Sequence, residues 1–378
     1  MRSPHEHSND NPFTPTFGVT PPSLVGRDVE LAAVRRALHR GPGDPARAVL
    51  LTGPRGSGKT VLLNALEDIA IDAGWTVVSE IVQPGLAREL TDIVLPNLLP
   101  RDGDDSHITA VAAGALGFSA SVTREIDDRP SPTKTLRQQL EHVASTLETT
   151  NGGIFISLDE VHHDEINELK PLFHAIQQCF RRGLPVAFAA AGLPSSISSL
   201  LNENVLTYLR RAERFVLGEL SPSEVRAALQ EPIVTAGRSI APDALDFAVD
   251  AIGGGYPFLT QVVGFELWQA DPTAPVIDLE AAQLATARAA ETTRRLVIEP
   301  VLKDLSDKDR DFLDAMAGIA ESPADLACIQ ERLGATRDHV KKYRARLIDT
   351  HIIEPAGRGK VDFVMPLFRD YLRAQSEA

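Results

Sequence analysis

Eight residues, Gly53-Pro54-Arg55-Gly56-Ser57-Gly58-Lys59-Thr60, follow the pattern G-x-x-x-x-G-K-[ST], and their types are those that hold a polyphosphate. The glycines let successive backbone N–H groups turn inward and form an anion nest. A helix opening at the end of the loop adds the positive end of its dipole. Lys59 would reach the β- and γ-phosphates, and the Thr60 hydroxyl would ligate Mg²⁺. Residues 53–60, with Val61 behind them, are therefore candidate contacts for ATP or ADP. The flanks suit this reading. Residues 48–52 form a short apolar run that reads as a buried strand, and residues 60–66 take up helical spacing.

A second motif is Gly153-Ile154-Phe155-Ile156-Ser157-Leu158-Asp159-Glu160. A mostly apolar strand ends in two carboxylates, the Walker B form. Asp159 is expected to hold Mg²⁺ directly or through water. Glu160 is expected to polarise the attacking water, because phosphoryl transfer needs a positioned water and charge neutralisation more than covalent help. His162, His163 and Asp164 follow at once, but their spacing is poor for a three-ligand metal site. They read as solvated or supporting residues.

The elements that must position these motifs alternate. Helix 24–40, strand 48–52, a helix to residue 73, strand 75–80 and helix 85–99 come first. Helix 133–148, the Walker B strand, helix 166–182, strand 185–191 and strand 215–217 follow. Such alternation argues for a parallel sheet covered on both faces. Residues 101–132 are irregular and Gly/Ala/Ser-rich, with an alternating tail at 118–122, and read as an insertion, a hairpin or flap. Beyond Leu220 the pattern turns helical, at 222–236, 242–252, 258–269 and 279–301, with Gly253-Gly254-Gly255-Tyr256-Pro257 as a break. From Ser306 come helices 307–319, 326–333 and 336–348. Strands 352–354 and 361–364 flank Gly357-Arg358-Gly359, and a helix over 368–374 closes the chain. Three helices and a hairpin make a winged helix-turn-helix. The expected organisation is a tail and extended segment at 1–23, its first ten residues disordered, and an α/β P-loop core at 24–220. An all-α lid at 221–305 and a winged helix at 306–378 complete it.

The 378 residues fit two or three domains. A net charge of −14 argues against a chain coated in basic surface for nucleic acid, yet allows a local patch. Helix 336–348 offers one. Arg337, Lys341 and Arg344 repeat at three- and four-residue spacing beside Lys342 and Arg346, and the turn adds Arg358 and Lys360. Such a face suits the phosphates of double-stranded DNA, through Lys341, Arg344, Arg358 and Lys360 above all. It also suits a protein partner, and fold alone does not decide. Cys179 and Cys328 lie far apart in helical-looking segments, and each reads as a small buried apolar side chain in a reducing compartment. Neither a signal-peptide core nor a run of 18 apolar residues occurs, so a cytoplasmic protein without a membrane span is expected.

The ordered set of motifs resembles AAA+ ATPases of the origin-recognition and archaeal-ATPase type, near the STAND signalling ATPases. More narrowly it is similar to a group of bacterial ATPases that open with Asn11-Pro12-Phe13-Thr14-Pro15 and Pro21-Pro22-Ser23-Leu24-Val25-Gly26-Arg27. These carry Gly192-Leu193-Pro194 after the fourth strand, Ala212-Glu213-Arg214-Phe215, and Gly254-Gly255-Tyr256-Pro257 in the lid. They end in a winged helix with Pro366-Leu367-Phe368. The resemblance implies that Val25, Gly26 and Arg27 lie by the adenine and that the segment ending in Pro257 packs on the nucleotide. It places Arg214, or Arg211, where an arginine finger could act in trans in a homo-oligomer. Two departures matter. The sensor-one position, Ala189-Ala190-Ala191-Gly192, supplies no polar group. The lid resembles the STAND form and lacks the sensor-two arginine. Both favour slow hydrolysis or a nucleotide-held switch. The resemblance thus implies an ATP-binding switch coupling nucleotide state to DNA or a DNA-associated partner. Its rival is a signalling ATPase whose winged helix is a regulatory latch.

Overall fold

The computed structural model describes residues 11–16, 19–21, 24–99, 134–350, 352–365 and 367–377. The expected insertion at 101–132 and the expected disorder of residues 1–10 lie outside them. The chain divides into two compact units. One holds residues 27–53 and 59–217. The other holds residues up to 26, the short stretch 54–58, and everything from 218 on.

The first unit runs α1 (Asp28–Arg40), β1 (Ala48–Thr52), α2 (Lys59–Asp72), β2 (Thr76–Ile81), α3 (Leu86–Glu89), α4 (Leu95–Asn97), α5 (Leu136–Glu148), β3 (Ile154–Val161), α6 (Ile166–Arg181), β4 (Val186–Gly192), α7 (Pro194–Asn202) and β5 (Glu213–Val216). Five parallel strands lie in the order β2-β3-β4-β1-β5. Successive strand residues point to opposite faces, and both faces are covered. Leu50, Val78, Ile156, Phe188 and Ala190 pack with residues of α5 and α6 such as Leu140 and Phe173. Their neighbours Leu51, Val77, Phe155 and Ala189 pack with Val34 of α1 and Leu62 and Leu66 of α2. Covering both faces is why these strands read as unbroken apolar runs and not as alternation.

Two helices expected to be continuous contain a wider turn, each for the same reason. Between α3 and α4, Leu90–Val94 is π-helical, and the Leu95 N–H donates to Leu90 C=O. Pro96 follows directly. A proline ring crowds the carbonyl four residues back and offers no N–H to it, so the turn before it opens. Arg294–Ile298 repeats this, with Glu299 N–H on Arg294 C=O and Pro300 next. Between β4 and β5, where the sequence reading names no element, the chain forms α7, opened by proline at its first position, and then a 3-10 stretch at Asn204–Arg211.

The second unit holds α8 (Pro222–Thr235), β6 (Ser239–Ile240), α9 (Pro242–Ile252), α10 (Pro257–Ala270), β7 (Val276–Ile277), α11 (Leu279–Thr293) and α12 (Glu299–Lys303). It continues with α13 (Asp307–Ala317), β8 (Ala324–Asp325), α14 (Leu326–Leu333), α15 (Arg337–Asp349), β9 (Ile353–Pro355), β10 (Lys360–Phe363) and α16 (Phe368–Glu377). Serines cap where the pattern S-x-x-[DE] occurs, at Ser221 for α8 and Ser306 for α13. The last stretch, α13, α14 and α15 with an antiparallel sheet of order β8-β10-β9 and α16 closing it, is winged-helix-like. One hydrophobic core links Leu259 and Val263 of α10 with Phe312 of α13 and Phe368 of α16. Phe13 belongs to that core too. Its ring lies on Gly264 of α10, and the Asn11 amide donates to Phe265 O at 3.1 Å.

Candidate nucleotide site

Lys59 opens α2 directly beyond the C-terminal end of β1, where open α/β sheets bind ligands. Its Nζ donates to Gly53 O at 2.9 Å, so the side chain folds back over the start of its own loop. Gly56 and Gly58 take φ of +72° and +88°, the left-handed values that an anion nest needs and that only glycine adopts cheaply. Ser57 lies between them, 2% exposed.

The two sequence motifs meet. Thr60 Oγ1 donates to Asp159 Oδ2 at 2.7 Å. The other oxygen of Asp159 accepts the Glu160 N–H at 2.8 Å. That second bond belongs to a break in the sheet. Leu158 pairs with Ala190 and Val161 with Gly192, so β3 carries one extra residue there. Glu160 sits in this bulge at φ +54°, a conformation that costs a non-glycine residue energy and recurs at functional sites. Its carboxylate is more than half exposed and lies 3.2 Å from His162 Nε2. Thr60 and Asp159 offer a hydroxyl and a carboxylate side by side, the hard-oxygen donor set that suits Mg²⁺. Among the described residues, no group of three or more His, Cys, Asp or Glu could hold a metal by itself.

Glu67, two turns along α2 from Thr60, is a carboxylate that the motifs do not reveal. Ser79 Oγ of β2 donates to it at 2.8 Å. Burial pushes its carboxyl above the usual range. The Ser157 and Ser79 hydroxyls oppose that, and the charges of Asp68 and Asp159 add to it. The sequence signal for Glu67 is weak, because Asn64 and Thr60, three and seven residues earlier, put other polar groups on the same helix face.

Val25 and Gly26 form a half-buried turn, and a Cβ on Gly26 would lie 2.8 Å from Glu224 Cδ. Arg27 precedes α1, and its carbonyl accepts the Leu31 N–H at 3.1 Å. Pro257 is the first residue of α10. The residue before it, Tyr256, was missed as more than a helix breaker. Its hydroxyl donates to Arg55 O at 2.9 Å. The sensor-one stretch Ala189–Gly192 is buried and has no polar side chain. Arg214 is exposed on β5, an edge strand.

On α15, Arg337, Lys341 and Lys342 are exposed, and so is Arg358 at the β9–β10 turn. Arg344 and Lys360 are half-buried. Arg346 does not join this face. It pairs with the fully buried Asp309, whose Oδ2 also accepts from Ser306 Oγ at 2.7 Å.

A parallel sheet of order β2-β3-β4-β1-β5 with a phosphate loop after β1 and an Asp-Glu pair on β3 defines a P-loop NTPase of the AAA+ class. Residues 23–188 match the model of the AAA ATPase domain family. Residues 295–372 match a model described as a domain of unknown function (DUF8462), which begins within the π-helical turn before α12. Among solved structures, the chain is similar to a Walker-type ATPase of Pyrococcus abyssi. The TM-score is 0.63 at 15% identity, over 93% of this chain and 96% of that one. It is also similar to the ORC2 protein of Aeropyrum pernix in its ADPNP-ADP complexes, with a TM-score of 0.58 at 14% identity over 96% and 98% of the two chains. At these identities the likeness is one of fold. No curated protein matches the chain.

Proposed function

We propose that the chain is a slow Mg²⁺-dependent ATPase that works as a nucleotide switch. The observation that carries this is the 2.7 Å bond between Thr60 Oγ1 and Asp159 Oδ2, which joins the phosphate loop's last residue to the acidic end of β3. Thr60 and Asp159 would hold Mg²⁺, which supplies charge neutralisation to the phosphates. Lys59 would leave Gly53 O for a phosphate oxygen, and Glu160, which takes a left-handed φ in its bulge, would orient water. Val25, Gly26, Arg27 and Pro257 are assigned to the adenine side. The reading draws support from the A. pernix ORC2 protein, which shares the fold and was solved with ADPNP and ADP. Slow turnover follows from the apolar end of β4, which offers nothing to a γ-phosphate. Arg214 would complete the charge neutralisation only from a neighbouring copy in an oligomer.

The switch would act through the winged helix on double-stranded DNA or a DNA-associated partner, using Lys341, Arg344, Arg358 and Lys360. One observation favours a protein partner instead. Arg346 is tied to Asp309, so the helix presents fewer cations than its sequence carries. We assign the protein to the cytoplasm. Cys179 and Cys328 are both free; Cys328, expected to be buried, is exposed on α14, whereas burial pushes the Cys179 thiol up to about 12, which leaves it unreactive. Among the described residues no helix is long and apolar enough to cross a membrane.

Calorimetry with Mg-ATP tests the reading. Wild type should bind, Lys59→Ala should not, and Glu160→Gln should bind but turn over slowly. A Lys59→Ala protein that binds ATP like wild type would overturn the site.

A further inference from the structure

Tyr256 is mounted with little freedom. It lies just before α10, 4% exposed, with its ring edge-on to Phe258 at 6.3 Å between centroids. The chain entering it is equally confined. Gly255 has φ +66°, its carbonyl accepts the Leu220 N–H at 2.8 Å, and a Cβ on it would lie 2.7 Å from Leu220 C. From this mounting the Tyr256 hydroxyl reaches the phosphate loop, donating to Arg55 O at 2.9 Å. The ring also fills the space above the next residue. A Cβ on Gly56 would lie 2.6 Å from Tyr256 Cζ. Residues 54–58 belong to the same compact unit as Tyr256.

A trans peptide is planar, so the C=O of one residue and the N–H of the next point in opposite directions. Whatever holds the Arg55 oxygen therefore also aims the Gly56 N–H. An anion nest works only when successive N–H groups share a side. We infer that Tyr256 is a positioning residue that orients the Arg55–Gly56 peptide for phosphate binding, and through it α10 senses whether the loop is filled. This rests on the proposed nucleotide site. The sidedness follows. A phosphate drawn to the Gly56 N–H favours the same peptide orientation that the Tyr256 hydroxyl favours, so each tightens the other by an equal factor.

The test compares wild type, Tyr256→Phe and Lys59→Ala in calorimetry with Mg-ATP and Mg-ADP, alongside urea unfolding of the nucleotide-free proteins. Phenylalanine keeps the ring and removes the hydrogen bond. Affinity should fall about three- to tenfold, the yield of one hydrogen bond. The fall should be equal for ATP and ADP, since the nest serves phosphates common to both, and the unfolding midpoint should stay near that of wild type. Hydrogen exchange supplies the reciprocal readout. Nucleotide should slow exchange across residues 254–260 in wild type and much less in Tyr256→Phe. If Tyr256→Phe binds both nucleotides like wild type while Lys59→Ala fails, Tyr256 is packing only and the inference is overturned with the site intact. A wild type that binds neither nucleotide overturns both.

Discussion

Glu80 carries a penalty that a single substitution should remove. It lies in β2, one residue before Ile81, which pairs with Asp159. Burial pushes its carboxyl from an ordinary value of 4.5 up to about 7, and the nearby charge of Glu89 adds to the rise. The folded protein therefore binds this proton more tightly than the unfolded chain does. Stability falls as pH rises through the window from 4.5 to 7, and the whole penalty is present above 7. At ~1.36 kcal/mol per pH unit, an interval of ~2.5 amounts to ~3.4 kcal/mol. Glu80 is partly exposed, so solvent screening brings the expected figure to about 1–2 kcal/mol. Glu80→Gln keeps the shape and removes the charge. It should stabilise the protein by about 1–2 kcal/mol at pH 8 and by much less at pH 5. Urea unfolding at the two pH values measures the difference. Glu89→Gln should recover a smaller part of it. An equal effect of Glu80→Gln at both pH values would refute the assignment of the penalty to an ionised, half-buried carboxylate.

Three further expectations follow from named contacts. Asp159→Ala removes the acceptor for both Thr60 Oγ1 and the Glu160 N–H, so ATP affinity should lose its dependence on Mg²⁺; a titration of affinity against Mg²⁺ that matches wild type would sink the metal role. Gly255→Ala places a side chain at φ +66° against the Leu220 backbone and should cost at least ~1–2 kcal/mol of stability, with an unchanged unfolding midpoint as the contrary result. Reversing Lys341 and Arg344 to glutamate should abolish duplex DNA binding without altering ATP affinity. In wild type the log–log salt slope should be about −0.9 per neutralised phosphate, and no binding to any duplex at low salt in ATP, ADP or no nucleotide would leave the protein-partner reading in front.

Much of the fold was legible because its signals are local. Ala48–Thr52 is apolar throughout, and the glycines and Lys59 follow at motif spacing, so strand, loop and helix could be read together. The cap at Ser306 is equally plain in the sequence, whereas the one at Ser221 emerges only from the structure. What stayed hidden depends on partners far along the chain. Arg346 reads as one more cation of a basic helix until Asp309 is found buried beneath it, 37 residues away. Tyr256 reads as part of a helix break until its hydroxyl meets Arg55, 201 residues away. The bulge at Glu160 is hidden for a different reason. It is a mismatch of register between β3 and β4, and register is a property of a pair. Asp159-Glu160 carries no glycine to advertise the left-handed turn.

That bulge bears on how the chemistry is divided. In a regular strand, Asp159 and Glu160 would point to opposite faces. The extra residue lets the Asp159 side chain serve three ends. One oxygen meets Thr60, the other meets the Glu160 N–H, and the second bond holds Glu160 at its left-handed φ. Asp159 thus sets the backbone of the residue assigned to water. The His162 ring meets the Glu160 carboxylate from the other side of the turn. Removing Asp159 should therefore impair water positioning as well as Mg²⁺ binding, whereas Glu160→Gln leaves the bulge's N–H bond in place and should affect turnover alone. The order of severity, with Asp159→Ala losing both affinity and rate and Glu160→Gln losing rate only, is what this geometry requires.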